Sequence, residues 1–190
     1  MKRIIINCLM LIFLYFPATF TFAADTYTLD PMHTAVLWRI NHFGFSNPSG
    51  KWMATGTLVL DEANPNNSKV NAVIQTDAIV TAIPELDKHL KGPLFFDVIK
   101  FPIAKFVSDK VEKTGKNKAF VYGTLTLHGV SKPVKLLVTL NKIGKNPVSD
   151  KMSVGFTATT KIKRSDFGIT TYLPGLSDEV VISIEAEAYK

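Results

Sequence analysis

The sequence predicts an all-β protein: an antiparallel barrel or sandwich with one short helix. Three observations lead there. Stretches of alternating apolar and polar residues recur along almost the whole chain. The breaks between them are rich in Gly, Pro and Asn, as turns require. Only one stretch, Pro84 to Lys91, has helical character.

The elements follow in order. Candidate strands are 27–29, 33–43, 51–60, 69–78, 103–109, 119–127, 134–143, 152–162 and 180–189. Asn47-Pro48-Ser49-Gly50, Asn64-Pro65-Asn66-Asn67, Lys113 to Asn117 and Gly144 to Pro147 supply turns. The helix opens on Pro84, carries Glu85 and Asp87 early and Lys88 and Lys91 late, and stops at Gly92-Pro93. That order suits the helix dipole and the missing N–H of a first-turn proline. About eight or nine strands at this spacing build a barrel or a sandwich.

Alternation assigns the faces. Val36, Trp38, Ile40 and His42 share one face, as do Trp52, Ala54, Gly56, Leu58 and Leu60. Val121/Gly123/Leu125/Leu127, Val134/Leu136/Val138/Leu140 and Val180/Ile182/Ile184/Ala186/Ala188 continue it. Arg39, Asn41, Lys135, Thr139, Ser183, Glu185 and Glu187 fall on the other face. This is a wall with one dry side. Small residues among large ones on that side fit either a filled interior or room for one ligand.

Residues 1–23 read as a secretory signal peptide. Lys2 and Arg3 precede an apolar run from Ile4 to Phe16, and Thr21-Phe22-Ala23 offers a small-residue cleavage site. Cleavage before Ala24, or one residue later, leaves residues 24–190 as one exported domain. The single cysteine, Cys8, lies within the signal. The mature protein therefore lacks thiol chemistry, thiolate metal sites and disulfides, and packing alone must hold it. The net charge of +6 includes Lys2 and Arg3. The remaining basicity is mild and scattered, without the clustered stripe of a nucleic-acid binder. It is compatible with transient contact at an anionic membrane surface.

Catalytic signals are weak. His33, His42, His89 and His128 show no metal-ligand spacing, and no G-x-S-x-G elbow is present. Asp30, Asp97, Asp166 and Asp178 flank strand ends or turns, where Asp caps backbone N–H groups. His42 on an apolar face reads either as a hydrogen-bonded core group or as a contact for a polar head. Phenylalanines cluster at Phe43/Phe45, Phe95/Phe96 and Phe101/Phe106, around an apolar segment next to the helix. Such a segment plugs one barrel end, lines a cavity mouth, or both.

Ordered motifs then combine. They are Tyr27-Thr28-Leu29-Asp30-Pro31-Met32-His33, Val36 to Ser46, Asp87-Lys88-His89-Leu90, Phe95-Phe96-Asp97-Val98 and Phe101-Pro102. Gly123 to Val134, Arg164-Ser165-Asp166-Phe167-Gly168-Ile169 and Ser177-Asp178-Glu179-Val180 follow. In this order the chain resembles the YceI-like family of periplasmic polyisoprenoid-binding proteins. Two departures stand out: Gly92-Pro93-Leu94 replaces a segment that often holds Ser and an acid, and Trp38 stands where Phe is common. Gly50-Lys51-Trp52 also matches the short G-x-W signature of lipocalins.

The resemblance implies an eight-stranded antiparallel lipocalin-like barrel in the periplasm. It would carry a long-chain isoprenoid, polyprenyl or quinone, or a similar amphiphile, with no cofactor, no metal and no catalytic residue. A homodimer is compatible with it. Trp38, Ile40, Trp52, Leu125, Leu127, Val138 and Phe156 are expected to wall the tunnel. Phe43, Phe45, Phe95, Phe96 and Phe101 are expected to shape its mouth. His42, His89 and Arg164 are the expected polar contacts. Two alternatives stand beside this: an enzyme acting on such an amphiphile through His42 or His89, and a structural stress protein whose barrel is filled.

Overall fold

The computed structural model describes residues 24–190, so the signal-peptide expectation lies outside the described residues. Nine strands form: β1 (Asp25–Leu29), β2 (Ala35–His42), β3 (Ser49–Leu60), β4 (Lys69–Gln75), β5 (Ile103–Lys113), β6 (Lys118–Leu127), β7 (Val130–Lys145), β8 (Met152–Lys163) and β9 (Leu176–Tyr189). The helix α1 spans Pro84–Lys91, as the sequence predicts.

Every ladder is antiparallel, and the ladders close on themselves. β3 pairs with β4, and β4 continues through β5, β6, β7, β8 and β9 to β2, which returns to β3. β1 adds no stave of its own. It pairs with the end of β3 at Leu58 and Val59 and with β9 at Ala188 and Tyr189, whereas β2 pairs with the beginnings of both. β1 and β2 thus share one position in the ring, end to end. This is how nine strands make an eight-stave barrel.

The break between β1 and β2 is sealed locally. Met32 N–H donates to Asp30 Oδ1, and His33 Nδ1 lies 2.8 Å from Asp30 Oδ2. Thr34 Oγ1 donates to the Glu187 carbonyl of β9. Buried Thr34 therefore satisfies backbone that the missing ladder would have held.

Strand ends differ from the sequence expectation for physical reasons. The expected strand at 103–109 runs on to Lys113. A bulge between Ser108 and Lys110 shifts the phase, so Val111 resumes the inward face. The expected strand at 69–78 ends at Gln75, and Thr76–Ala78 forms a 3₁₀ turn. At the top of β2, the ladder shifts after Ile40, with the extra residues on β9 between Leu176 and Val180. The following turn has φ of 53° at Phe43 and 79° at Gly44, with Phe45 N–H bonded to the His42 carbonyl. Positive φ at both central positions matches the twist of a tight hairpin and favours glycine.

The barrel has a closed end and an open end. A packed cluster of Trp38, Ile40, Trp52, Ile79, Leu90 and Phe95 fills the end nearest α1. The other end carries the β3–β4 and β5–β6 connections.

Candidate functional site: an apolar cavity inside the barrel

A cavity of about 390 Å³ runs inside the barrel, within the range of small-molecule sites. Its wall is made of inward residues from every stave, among them Val36, Leu58, Val70, Phe106, Leu136 and Ile184. Many of these apolar side chains are only half-buried, including Val36, Leu60, Ile74, Leu140 and Ile184. An inward aliphatic residue keeps accessible surface only if it faces unfilled space. A filled barrel, the structural alternative drawn from sequence, is not what this chain forms.

Trp52 forms the floor. Its indole N–H donates to the Thr76 carbonyl at 3.1 Å, and Thr76 Oγ1 donates to the Phe101 carbonyl at 2.7 Å. Phe96 meets the Trp52 ring edge-on, with centroids 5.0 Å apart. Opposite this floor, the cavity reaches Glu62, Pro65, Lys69, Lys113, Lys116 and Lys118. The opening is therefore polar and mainly basic.

Five of the residues expected from sequence come together on this cavity: Trp52, Leu125, Leu127, Val138 and Phe156. The others do not line it. Trp38 and Ile40 point inward but below the floor, packed in the end cluster. The Trp38 ring lies 6.4 Å from that of Trp52, and its buried Nε1 has no hydrogen-bond partner. The residues expected at the mouth sit at the closed end instead. Phe95 is buried against the core, and Phe101 packs on the His128 ring at 4.4 Å. Phe43 and Phe45 lie on the surface, the latter 89% exposed.

The expected polar contacts also stand elsewhere. His42 is the last residue of β2, beyond the packed end cluster, and its exposed ring meets Phe43 edge-on. His89 is exposed on α1, beside Phe95. Arg164 is buried, and each of its three side-chain nitrogens donates to backbone. Nε, Nη1 and Nη2 donate to the carbonyls of Ser177, Ile169 and Leu176 at 2.8, 3.0 and 2.8 Å. Burial pushes its guanidinium pKa down, opposed by the nearby Asp178 carboxylate. Asp178 in turn accepts from Ser165 N–H and Oγ, a capping role of the kind read from sequence.

Sequence reasoning missed the weight of the open half. Leu58, Leu60, Val121, Leu136 and Ile184 all lay on the dry face by alternation, and that was the available signal. Aromatic content drew attention to the wrong end.

Comparison with known proteins now decides the family. The YceI-like domain matches residues 27–188, nearly the whole described chain. This chain belongs to the YceI-like family. Protein YceI of Salmonella arizonae is 42% identical over 167 residues, covering 86% of each chain. Among solved YceI-like structures, the Campylobacter jejuni YCEI protein superposes with a TM-score of 0.71 at 32% identity. It covers 79% of this chain and 89% of that one. A polyisoprenoid binding domain from Saccharophagus degradans gives a TM-score of 0.66 at 14% identity, covering 86% and 97%, and so shares the fold. The YceI-like barrel is thus the frame in which this cavity is held.

Proposed function

We propose that this protein binds one long-chain isoprenoid, or a similar amphiphile, with its chain inside the barrel, and carries it through the periplasm. The observation that carries the reading is the unfilled apolar cavity walled by half-buried aliphatic residues. Burying each methylene stabilises a bound chain by about 0.8 kcal/mol, so roughly ten carbons contribute about 8 kcal/mol before binding costs. The polyisoprenoid-binding relative of the same fold supports the ligand class. Export fits the reading of residues 1–23 as a signal, since such a chain cannot cross an aqueous compartment freely. The enzyme alternative rested on a histidine beside the pocket, and neither His42 nor His89 lines it.

Quinones quench indole fluorescence, and Trp52 stands on the cavity floor. Titration with an isoprenoid quinone should give saturable quenching. Ala186 faces the cavity, so Ala186→Phe should weaken the effect about tenfold while leaving the fold intact. Quenching that is unsaturable, or unchanged in Ala186→Phe, would count against the reading.

A further inference from the structure

The ring of hydrogen bonds is incomplete on one side. β7 runs from Val130 to Lys145, but its ladder with β8 covers only Leu137↔Thr159 to Lys145↔Met152. The first part of β7, Val130 to Leu136, is paired with β6 alone, and the last part of β8, Thr160 to Lys163, with β9 alone. The sequence gives a reason for the split. Pro133 sits in this part of β7, and proline belongs on edges because it cannot donate to a ladder. Immediately after Lys163 the chain turns into the 3₁₀ segment Arg164–Phe167, which ends the strand.

A groove of about 450 Å³ lies over this split. Val134, Thr160 and Ile162 line both the groove and the internal cavity. The barrel wall is therefore a single layer of three side chains here, and buried Phe167 of the 3₁₀ segment packs beside them. The groove is flanked by Lys132, Lys135, Lys161 and Lys163, against Asp166 and Glu179. Lys161 pairs with Glu179 at 2.8 Å, and Lys135 lies 3.5 Å from the centre of the Phe120 ring. Lys132 and Lys163 are exposed and form no ion pair among the described residues. Strand edges without a ladder add backbone N–H groups that need acceptors.

We propose that the β7–β8 split is a lateral portal of the barrel and that the groove outside it seats an anionic head group of the bound amphiphile. The chain enters between Val134 and Ile162, and Lys132 and Lys163 hold the head. This rests on the reading of the cavity as a chain-binding site and goes further by locating the head and its charge. The basic opening at the far end of the barrel is the rival location. It lacks the unpaired strand edges and stays open to solvent.

The test uses two fluorescent probes that differ only in head charge, cis-parinaric acid and its methyl ester, with the full chain. Both should brighten with the unaltered protein. The double variant Lys132→Glu/Lys163→Glu should bind the acid about tenfold more weakly, the scale of a charge-assisted hydrogen bond, and the ester within roughly twofold of the unaltered protein. Lys116→Glu/Lys118→Glu, at the far opening, should leave both affinities near their original values. Loss of acid binding in the far-end variant and not in the groove variant would overturn the proposal while leaving the cavity reading standing. Saturable calorimetric binding of inorganic phosphate alone, lost in the groove variant, would mark a free-anion site and overturn the portal. Failure of both probes to brighten would overturn the cavity reading and the portal together.

Discussion

Trp38 and Trp52 belong to the same buried cluster, yet their indole N–H groups have opposite fates. Trp52 donates to the Thr76 carbonyl, whereas Trp38 Nε1 is buried without a partner. An unsatisfied buried donor costs about 1–3 kcal/mol. Trp38→Phe removes that cost along with some packing, and should leave stability within about 1 kcal/mol of the original. Trp52→Phe strands the Thr76 carbonyl and should destabilise by about 1–3 kcal/mol. Urea unfolding of the two variants checks the contrast. The Asp30–His33 pair at the β1–β2 break gives a pH signature. Its hydrogen bond holds Asp30 below its ordinary value of 3.8 and His33 above its ordinary value of 6.5. The carboxylate's contribution is present above about pH 3.8 and is lost as pH falls through the depressed value. The imidazolium's contribution is full below about pH 6.5 and is lost as pH rises through the elevated one. The pair therefore helps most between those limits. An NMR titration should place the His33 midpoint above 6.5, and Asp30→Asn should bring it back down.

Among the elements, β3 is bent where it passes from pairing with β2 to pairing with β1. Gly56 adopts φ of +146°, and a Cβ there would lie 2.0 Å from the Asn71 carbonyl oxygen of β4. Only glycine permits that backbone approach. Gly56→Ala should destabilise by about 1–3 kcal/mol, read by thermal unfolding. The helix and most strands were legible because alternation and turn residues act locally. Leu125, Leu127 and Val138 were placed on the cavity by the same rule. His42 was not, because alternation gives a side chain's face but not its height, and the last residue of β2 lies beyond the packed end cluster, away from the cavity. The continuation of β5 past Asp109 was hidden because the bulge between Ser108 and Lys110 shifts the phase of the strand. Arg164 was expected as a polar contact for the head group, and only the fold reveals the three carbonyls to which it donates.

For the whole molecule, the eight-stave ring could be anticipated only through family motifs, since period alone left barrel and sandwich equal. That β1 and β2 share one stave depends on long-range pairing with β3 and β9, which no local pattern encodes. Which end is plugged was equally illegible: aromatic residues suit a floor and a mouth alike, and Phe95 and Phe96 turned out to close the barrel under Trp52. A barrel with an unfilled interior should gain stability from its ligand. At a hundredfold excess over Kd the gain is about 2.7 kcal/mol, seen as a raised Tm. The most direct measurement is mass spectrometry of an organic-solvent extract of the natively folded protein, purified without added lipid. One isoprenoid or similar long-chain amphiphile per chain, and markedly less from Ala186→Phe, is the predicted result. An extract free of such a molecule, from protein that also fails to take up a quinone in solution, would contradict the account.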